Sequence, residues 1–263
     1  MARKRAGPTA SSLGAAVPFL RRVRLGDSAP TEGFPFDLAA VRGLAAIEFA
    51  AVTTLVGDNG SGKSTVVEAL AVAAGFNPEG GSRNLSFATY DTHSALHDHL
   101  ELQWSHRPRW GWFLRAETFY GMATHIANDN DTTTGIAGLF PDLHRRSHGE
   151  SFLELAVARF DGPGLYLLDE PEAALSVTGQ LALLAIMHRS CALGAQFVLS
   201  THSPLLMAYP GAAIYELRSD GPPAARVFDE VDSVQMWRLF LDDPTPFFDE
   251  LFSEDDESEG DEP

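Results

Sequence analysis

The chain has 263 residues, 44% of them hydrophobic, and a formal net charge of −17 at pH 7. That hydrophobic share over that length suits one large α/β domain with a sizeable core and excludes disorder along the whole chain. No apolar run approaches the roughly 20 residues that cross a bilayer, the longest candidate, Leu181–Met187, stopping at His188. No direct membrane insertion is therefore expected, and the acidity lowers the expectation of a nucleic-acid partner without forbidding one. Cys191 is the only cysteine. It leaves no disulfide framework and fits a reducing cytoplasm, with burial as a small hydrophobe its default role.

Residues 1–17, with Arg3-Lys4-Arg5 and a diluted apolar stretch, read as a flexible N-terminal arm rather than a signal peptide. Strand-like segments follow at Phe19–Leu25, Ala45–Phe49 and Ala50–Val56. The next eight residues, Gly57-Asp58-Asn59-Gly60-Ser61-Gly62-Lys63-Ser64, fit the phosphate-cradling pattern GxxxxGK[ST] at every constrained position. Gly57, Gly60 and Gly62 let the backbone turn tightly and aim N–H groups at phosphate oxygens. Lys63 supplies a point charge for the outer phosphates, and Ser64 a hydroxyl ligand for Mg²⁺. The loop lies between an apolar, β-branched strand and a predicted helix from Ser64 to Ala74 ended by Gly75. Lysine occurs only at positions 4 and 63, which makes a chance match rarer still.

Further strands are predicted at Leu100–Trp104 and Trp112–Arg115, and a helical subdomain over about 118–160 that includes a polar surface connection at Ala127–Gly138. Within it, Ser147-His148-Gly149-Glu150-Ser151 opens a helix reaching Phe160, a start that suits an anion. A buried strand at Leu165–Leu168, a helix at Ser176–Leu193 ended by Gly194 and a strand at Gln196–Ser200 form a strand, helix, strand unit of a parallel sheet. Ala213–Leu217 and Arg226–Phe228 read as edge strands, followed by helices at Ser233–Leu241 and Pro246–Phe252. Phe247, Phe248, Leu251 and Phe252 are expected to dock the last helix on the core. Ser253–Pro263 carries seven acids and no base, and reads as a disordered solubility tail.

Asp169 and Glu170 end the strand Leu165–Leu168, where α/β proteins place ligand-binding groups. Beside a phosphate loop, Asp169 is expected to hold Mg²⁺ through water and Glu170 to act as the base that polarises an attacking water. His93, His97, His99 and His106 are read as surface histidines rather than a metal cluster, with His97 and His99 on one strand face.

Taken in order, Gly57–Ser64, Ser147–Ser151, Leu165–Glu172, Ala174-Leu175-Ser176 and Ser200-Thr201-His202-Ser203 resemble the Walker A loop, signature motif, Walker B strand, D-loop and switch histidine of an ATP-binding-cassette ATPase head. The likeness covers roughly residues 18–218. Asp58-Asn59-Gly60-Ser61 and the short Ser-x-Gly-Glu signature are more similar to chromosome-maintenance and DNA-repair heads than to transporter subunits. Ser-His-Gly-Glu-Ser with Tyr-Leu-Leu-Asp-Glu-Pro-Glu is most similar to small stand-alone bacterial ATPases of the AAA family. The segment between Lys63 and Ser147 has no room for the long coiled-coil arm of the repair heads.

The resemblance implies two copies sandwiching two ATP molecules, each held by Walker A of one chain and by Ser147 and Gly149 of the other. It implies that His202 contacts the γ-phosphate and Thr65 the α-phosphate. Arg115-Ala116-Glu117 occupies a plausible place for the glutamine loop, with Glu117 in the glutamine's role, and Phe34 or Phe36 is a candidate adenine contact. The expected fold is an α/β P-loop NTPase head with a mixed sheet lobe, a parallel core sheet and a helical subdomain, forming one ATPase domain over 18–252. The expected activity is Mg²⁺-dependent ATP hydrolysis coupled to dimer closure and work on a partner. The alternatives are the ATP-binding subunit of a membrane transporter and an ATP-gated regulatory or defence module with little turnover.

Overall fold

The structure, a computed structural model, describes residues 17–82, 94–119 and 148–253. The expected N-terminal arm up to residue 16, His93, the polar connection at 127–138, most of the helical subdomain, Ser147 and the tail beyond residue 253 lie outside the described residues.

Among the described residues eight strands run in chain order: β1 (Leu20–Leu25), β2 (Val52–Val56), β3 (Leu100–Trp104), β4 (Gly111–Arg115), β5 (Leu165–Asp169), β6 (Gln196–Ser200), β7 (Ala213–Arg218) and β8 (Gly221–Arg226). Six of them form the central sheet in the order β4-β5-β6-β2-β7-β8. The first five are parallel, and β8 adds antiparallel to β7. β1 and β3 form a separate antiparallel pair, to which Glu48 adds a single bridge at Arg22. The helices are α1 (Ala39–Arg42), α2 (Lys63–Ala73), α3 (His148–Arg159), α4 (Val177–Ala192), α5 (Pro204–Met207), α6 (Asp232–Asp242) and α7 (Thr245–Phe252).

Successive side chains of a strand point to opposite faces, so a sheet covered on both sides needs unbroken apolar runs. The central strands follow that rule. Trp112, Leu114, Tyr166, Leu168, Phe197 and Leu199 pack with Phe152 of α3 and Leu183 and Met187 of α4. Their neighbours Phe113, Leu165, Leu167 and Val198 face the other way and pack with Val66, Val67 and Leu70 of α2 and with the β1–β3 pair. The result is an α/β domain, a parallel core sheet with helices on both faces and a small antiparallel lobe. Gln196 fastens that lobe: its amide donates to the carbonyls of Leu20 (2.8 Å) and Ala50 (3.0 Å) and accepts from the Leu20 N–H (2.9 Å).

Several local expectations need correction. Ala45–Phe49 is not a strand; Leu44–Ala46 forms a 3-10 turn, in which Ala45 and Ala46 are both exposed and the Ile47 N–H donates back to the Leu44 carbonyl, and only Glu48 pairs. β7 is internal rather than an edge, and the edge is β8, whose Pro222 and Pro223 lack the N–H a central strand must donate. His97 and His99 sit in the 3-10 turn Ala95–His99, not on a strand face. Nor does α7 dock on the core. None of its residues is buried, and Phe247 and Phe248 close instead on Phe240 of α6 at ring separations of 5.5 and 5.9 Å, leaving Leu251 and Phe252 exposed.

Candidate functional site

β2 ends at Val56 and the chain turns through residues 57–62 into α2. The turn needs glycine for two separable reasons. Gly57, Gly60 and Gly62 have φ of +137°, +79° and +96°, a region L side chains avoid. Gly57 is also pressed against β7: a Cβ there would lie 2.1 Å from the Leu217 carbonyl oxygen. α2 starts with no side chain capping it, so its first-turn N–H groups have no intrahelical acceptor and are free for an anion. The Ser61 hydroxyl is buried in the turn without a hydrogen-bond partner. Lys63, 4% exposed, folds over the loop and donates to the carbonyls of Gly57 and Asp58, both at 2.9 Å. Asp58, Asn59 and Gly60 are exposed at the loop's tip, and Ser64 and Thr65 are half-buried in the first turn of α2.

The carboxyl ends of the neighbouring strands supply the rest. Asp169 ends β5 almost fully buried, with both carboxylate oxygens engaged. Ser200 Oγ, at the end of β6, donates to Oδ1 at 2.5 Å, and Arg115 Nε, at the end of β4, lies 3.1 Å from Oδ2. Glu170 follows with φ +47° and ψ +52°, the left-handed conformation, and is the only non-glycine with positive φ among the described residues. Such a backbone costs on the order of 1–2 kcal/mol, and its N–H donates back to the Ser200 carbonyl at 3.1 Å and hydroxyl at 3.2 Å. The turn re-aims the Glu170 side chain, whose Oε1 lies 3.7 Å from His202 Nε2. His202 in turn is held by its backbone N–H, which donates to Glu172 Oε1 at 2.5 Å.

Ser64, Arg115, Ala116, Glu117, Asp169, Glu170 and Ala173 line one cavity of about 470 Å³. Burial pushes the Lys63 ammonium below its ordinary pKa, and the charges of Glu170, Asp169, Asp58 and Glu172 push back. The Arg115 guanidinium loses hydration to burial too, but Asp169 and Glu68 more than compensate and hold it above its ordinary value. The Ser64 hydroxyl and Asp169 carboxylate are the hard oxygen donors Mg²⁺ selects. Among the described residues no group of three or more His, Cys, Asp and Glu side chains forms a metal cage.

Gly57–Thr65, Asp169, Glu170 and His202 are thus gathered at one end of the sheet. Gly149 belongs to α3, which already includes His148 and so reaches further back than expected; a Cβ at Gly149 would meet the Ala174 carbonyl at 2.9 Å. Phe36 is buried edge-on against His99 and Phe34 is exposed. Four participants had no individual role assigned from the sequence: Arg115 at Asp169, Glu68 at Arg115, the Ser200 hydroxyl, and the Glu172 carboxylate at the His202 N–H. Arg115 was the most accessible, because a charged residue ending an apolar parallel strand lies at the edge where ligands bind. Glu68 carried no such signal, since five residues into a helix it reads as a solvated acid.

No curated protein matches the chain. Solved structures it is similar to include the SMC head domain from Thermotoga maritima, at 17% identity over 80% of this chain and 99% of that one with a TM-score of 0.45. A second is an ATP-binding subunit of an ABC transporter, at 19% identity over 81% and 91% with a TM-score of 0.43. The family model described as "AAA domain, putative AbiEii toxin, Type IV TA system" matches residues 52–137 and 82–208. Those two overlapping matches take in the phosphate loop, Asp169, Glu170 and His202, and span more than half of the sequence; the chain belongs to this AAA-domain family of P-loop ATPases.

Proposed function

We propose that the chain is a Mg²⁺-dependent ATPase of the cassette type, in which two copies close over two ATP molecules and reopen after hydrolysis. One observation carries the reading: Glu170, held in a left-handed turn beside His202, ends the strand that also bears Asp169, at the same sheet edge as the phosphate loop. A strained, precisely aimed carboxylate at a ligand edge points to chemistry rather than to folding.

In this reading the amides of Gly60–Thr65 and the Lys63 ammonium bind the phosphates, with Thr65 at the α-phosphate and Asp58, Asn59 and Ser61 shaping the loop. Ser64 and Asp169 hold the metal, which when bound neutralises phosphate charge and orients the γ-phosphate. Glu170 accepts a hydrogen bond from the attacking water and polarises it, and His202 donates to the γ-phosphate. Ser147 and Gly149 of a second copy complete the other face. The ATPase domain extends over about 18–252, works in the cytoplasm, and passes the motion of closure to a partner. A second reading, an ATP-gated effector with little turnover, is favoured by the family's description as a toxin of a toxin–antitoxin system.

Sizing Glu170→Gln with and without Mg·ATP tests the sandwich. Removing the base should trap a closed dimer that Ser147→Arg abolishes while ATP binding to the monomer persists. A monomer at saturating Mg·ATP would sink the two-copy model. Steady phosphate release by the wild type separates the two readings: negligible turnover favours the gated effector.

A further inference from the structure

Arg115 is the residue at this site whose position the ATPase reading leaves unexplained. It ends β4 in direct register with Asp169. Its guanidinium is pinned between two carboxylates: Nη1 donates to Glu68 Oε2 at 2.6 Å, and Nε lies 3.1 Å from Asp169 Oδ2. A third carboxylate, Glu117 Oε2, lies 3.8 Å from the same Nε and reaches into the same cavity. The Ser200 hydroxyl takes the other oxygen of Asp169. Asp169 is therefore fully engaged, and one of its partners is a cation that cannot be discharged.

A guanidinium and a divalent ion cannot share one carboxylate without mutual repulsion, and in a half-buried site that repulsion is weakly screened. Glu68 holds the far end of Arg115, so Nε can leave Asp169 for Glu117 without the side chain losing its anchor. Without Arg115, Asp169, Glu170, Glu68 and Glu117 would face incoming phosphates with one balancing cation fewer beside Lys63. We propose that Arg115 is a positioning residue that stands in for the metal at Asp169 while no nucleotide is bound and yields that carboxylate when Mg·ATP enters, thereby setting how strongly nucleotide binding depends on the metal. The proposal rests on the reading of Asp169 as a metal-holding residue.

The test is a pair of dissociation constants for a fluorescent N-methylanthraniloyl ATP, one in EDTA and one in saturating Mg²⁺, for each variant. Arg115→Gln removes the stand-in and the competitor together: metal-free binding weakens and metal-bound binding tightens, so the EDTA-to-Mg²⁺ ratio widens by about fivefold, the scale of one partly buried charge-assisted contact. Glu68→Gln frees the guanidinium to pair more fully with Asp169 and narrows the ratio. Arg115→Lys, which keeps the charge, returns the ratio to within about twofold of wild type. A merely structural role would raise both constants by the same factor, and an unchanged or narrowed ratio in Arg115→Gln overturns the proposal. If Arg115→Gln fails to fold, a ratio that does not narrow in Glu68→Gln overturns it as well. Absence of binding by the wild type in both buffers would instead overturn the nucleotide reading itself, and this proposal with it.

Discussion

Replacing Gly57 by alanine separates two demands that the phosphate loop makes on its glycines. Both Gly57 and Gly60 have positive φ, so alanine at either position meets conformational strain of about 1–2 kcal/mol. Around Gly60 there is nothing within 4 Å of the new Cβ, and strain is the whole cost. At Gly57 the Cβ would stand 2.1 Å from the Leu217 carbonyl oxygen and 3.1 Å from Ser61 Oγ, against backbone that cannot rotate away. Forcing a carbon into such a site adds about 1–3 kcal/mol. Gly57→Ala should therefore lose about 2–5 kcal/mol, clearly more than Gly60→Ala. It should also displace the carbonyl that Lys63 holds, and so weaken ATP binding. Urea unfolding curves with matched slopes give the comparison. Equal losses for the two variants would show that the close approach of β2's end to β7 has no energetic consequence, and would refute the reasoning.

Other outcomes follow from single contacts. Gln196→Leu deletes two buried hydrogen bonds that tie Leu20 of β1 to the core sheet and a third, part-buried, to Ala50 just before β2, and should destabilise by about 2–4 kcal/mol in a denaturant titration; a loss below about 1 kcal/mol would mean the lobe is held by its apolar contacts alone. Burial keeps the Tyr166 phenol protonated well above its ordinary pKa, with a further push from Asp161, while its hydroxyl donates to the Gly162 carbonyl at 3.0 Å. Its folded pKa is raised, so its contribution to stability is complete below the unfolded value near 10 and is lost as pH rises beyond it. Thermal melts from pH 8 upward should fall faster for the wild type than for Tyr166→Phe once pH passes about 10, and parallel curves would contradict the assignment. Ser200→Ala removes the hydroxyl shared by Asp169 and the Glu170 N–H. It should cost about 1–3 kcal/mol of stability and lower nucleotide affinity only when Mg²⁺ is present.

Most of the architecture was legible because the chemistry dictates it. Largely apolar strands at Ala50–Val56, Leu165–Leu168 and Gln196–Ser200 point to a sheet covered on both faces, and a glycine-rich turn ending in Lys63-Ser64 between strand and helix serves phosphate. What escaped were features set by tertiary contact. Ala45–Phe49 has the composition of a strand, yet its first two residues belong to the 3-10 turn Leu44–Ala46, and only Ile47 and Phe49 of the segment are buried. Strand order cannot be read from strand content, which is why β7 was placed at an edge that Pro222 and Pro223 in fact mark. The hairpin of α6 and α7 shows the same gap, its aromatic residues pairing with one another rather than with the body. At the site, residue identity located Asp169, Glu170 and His202, but not the left-handed backbone of Glu170. That conformation precedes Pro171 and is stabilised by Ser200 from 30 residues away. The Arg115–Asp169–Glu68 arrangement likewise exists only once β4 lies beside β5 and α2 beneath them.

Phosphate release under saturating Mg·ATP by the wild type and by Glu170→Gln, with ATP binding measured on the same samples, bears on the central claim most directly. The account predicts measurable turnover by the wild type, and a fall of about 100-fold or more in the variant, the scale of a lost general base, with ATP affinity retained. Equal turnover by the two proteins would contradict it, because Glu170 would then not be the residue that activates water.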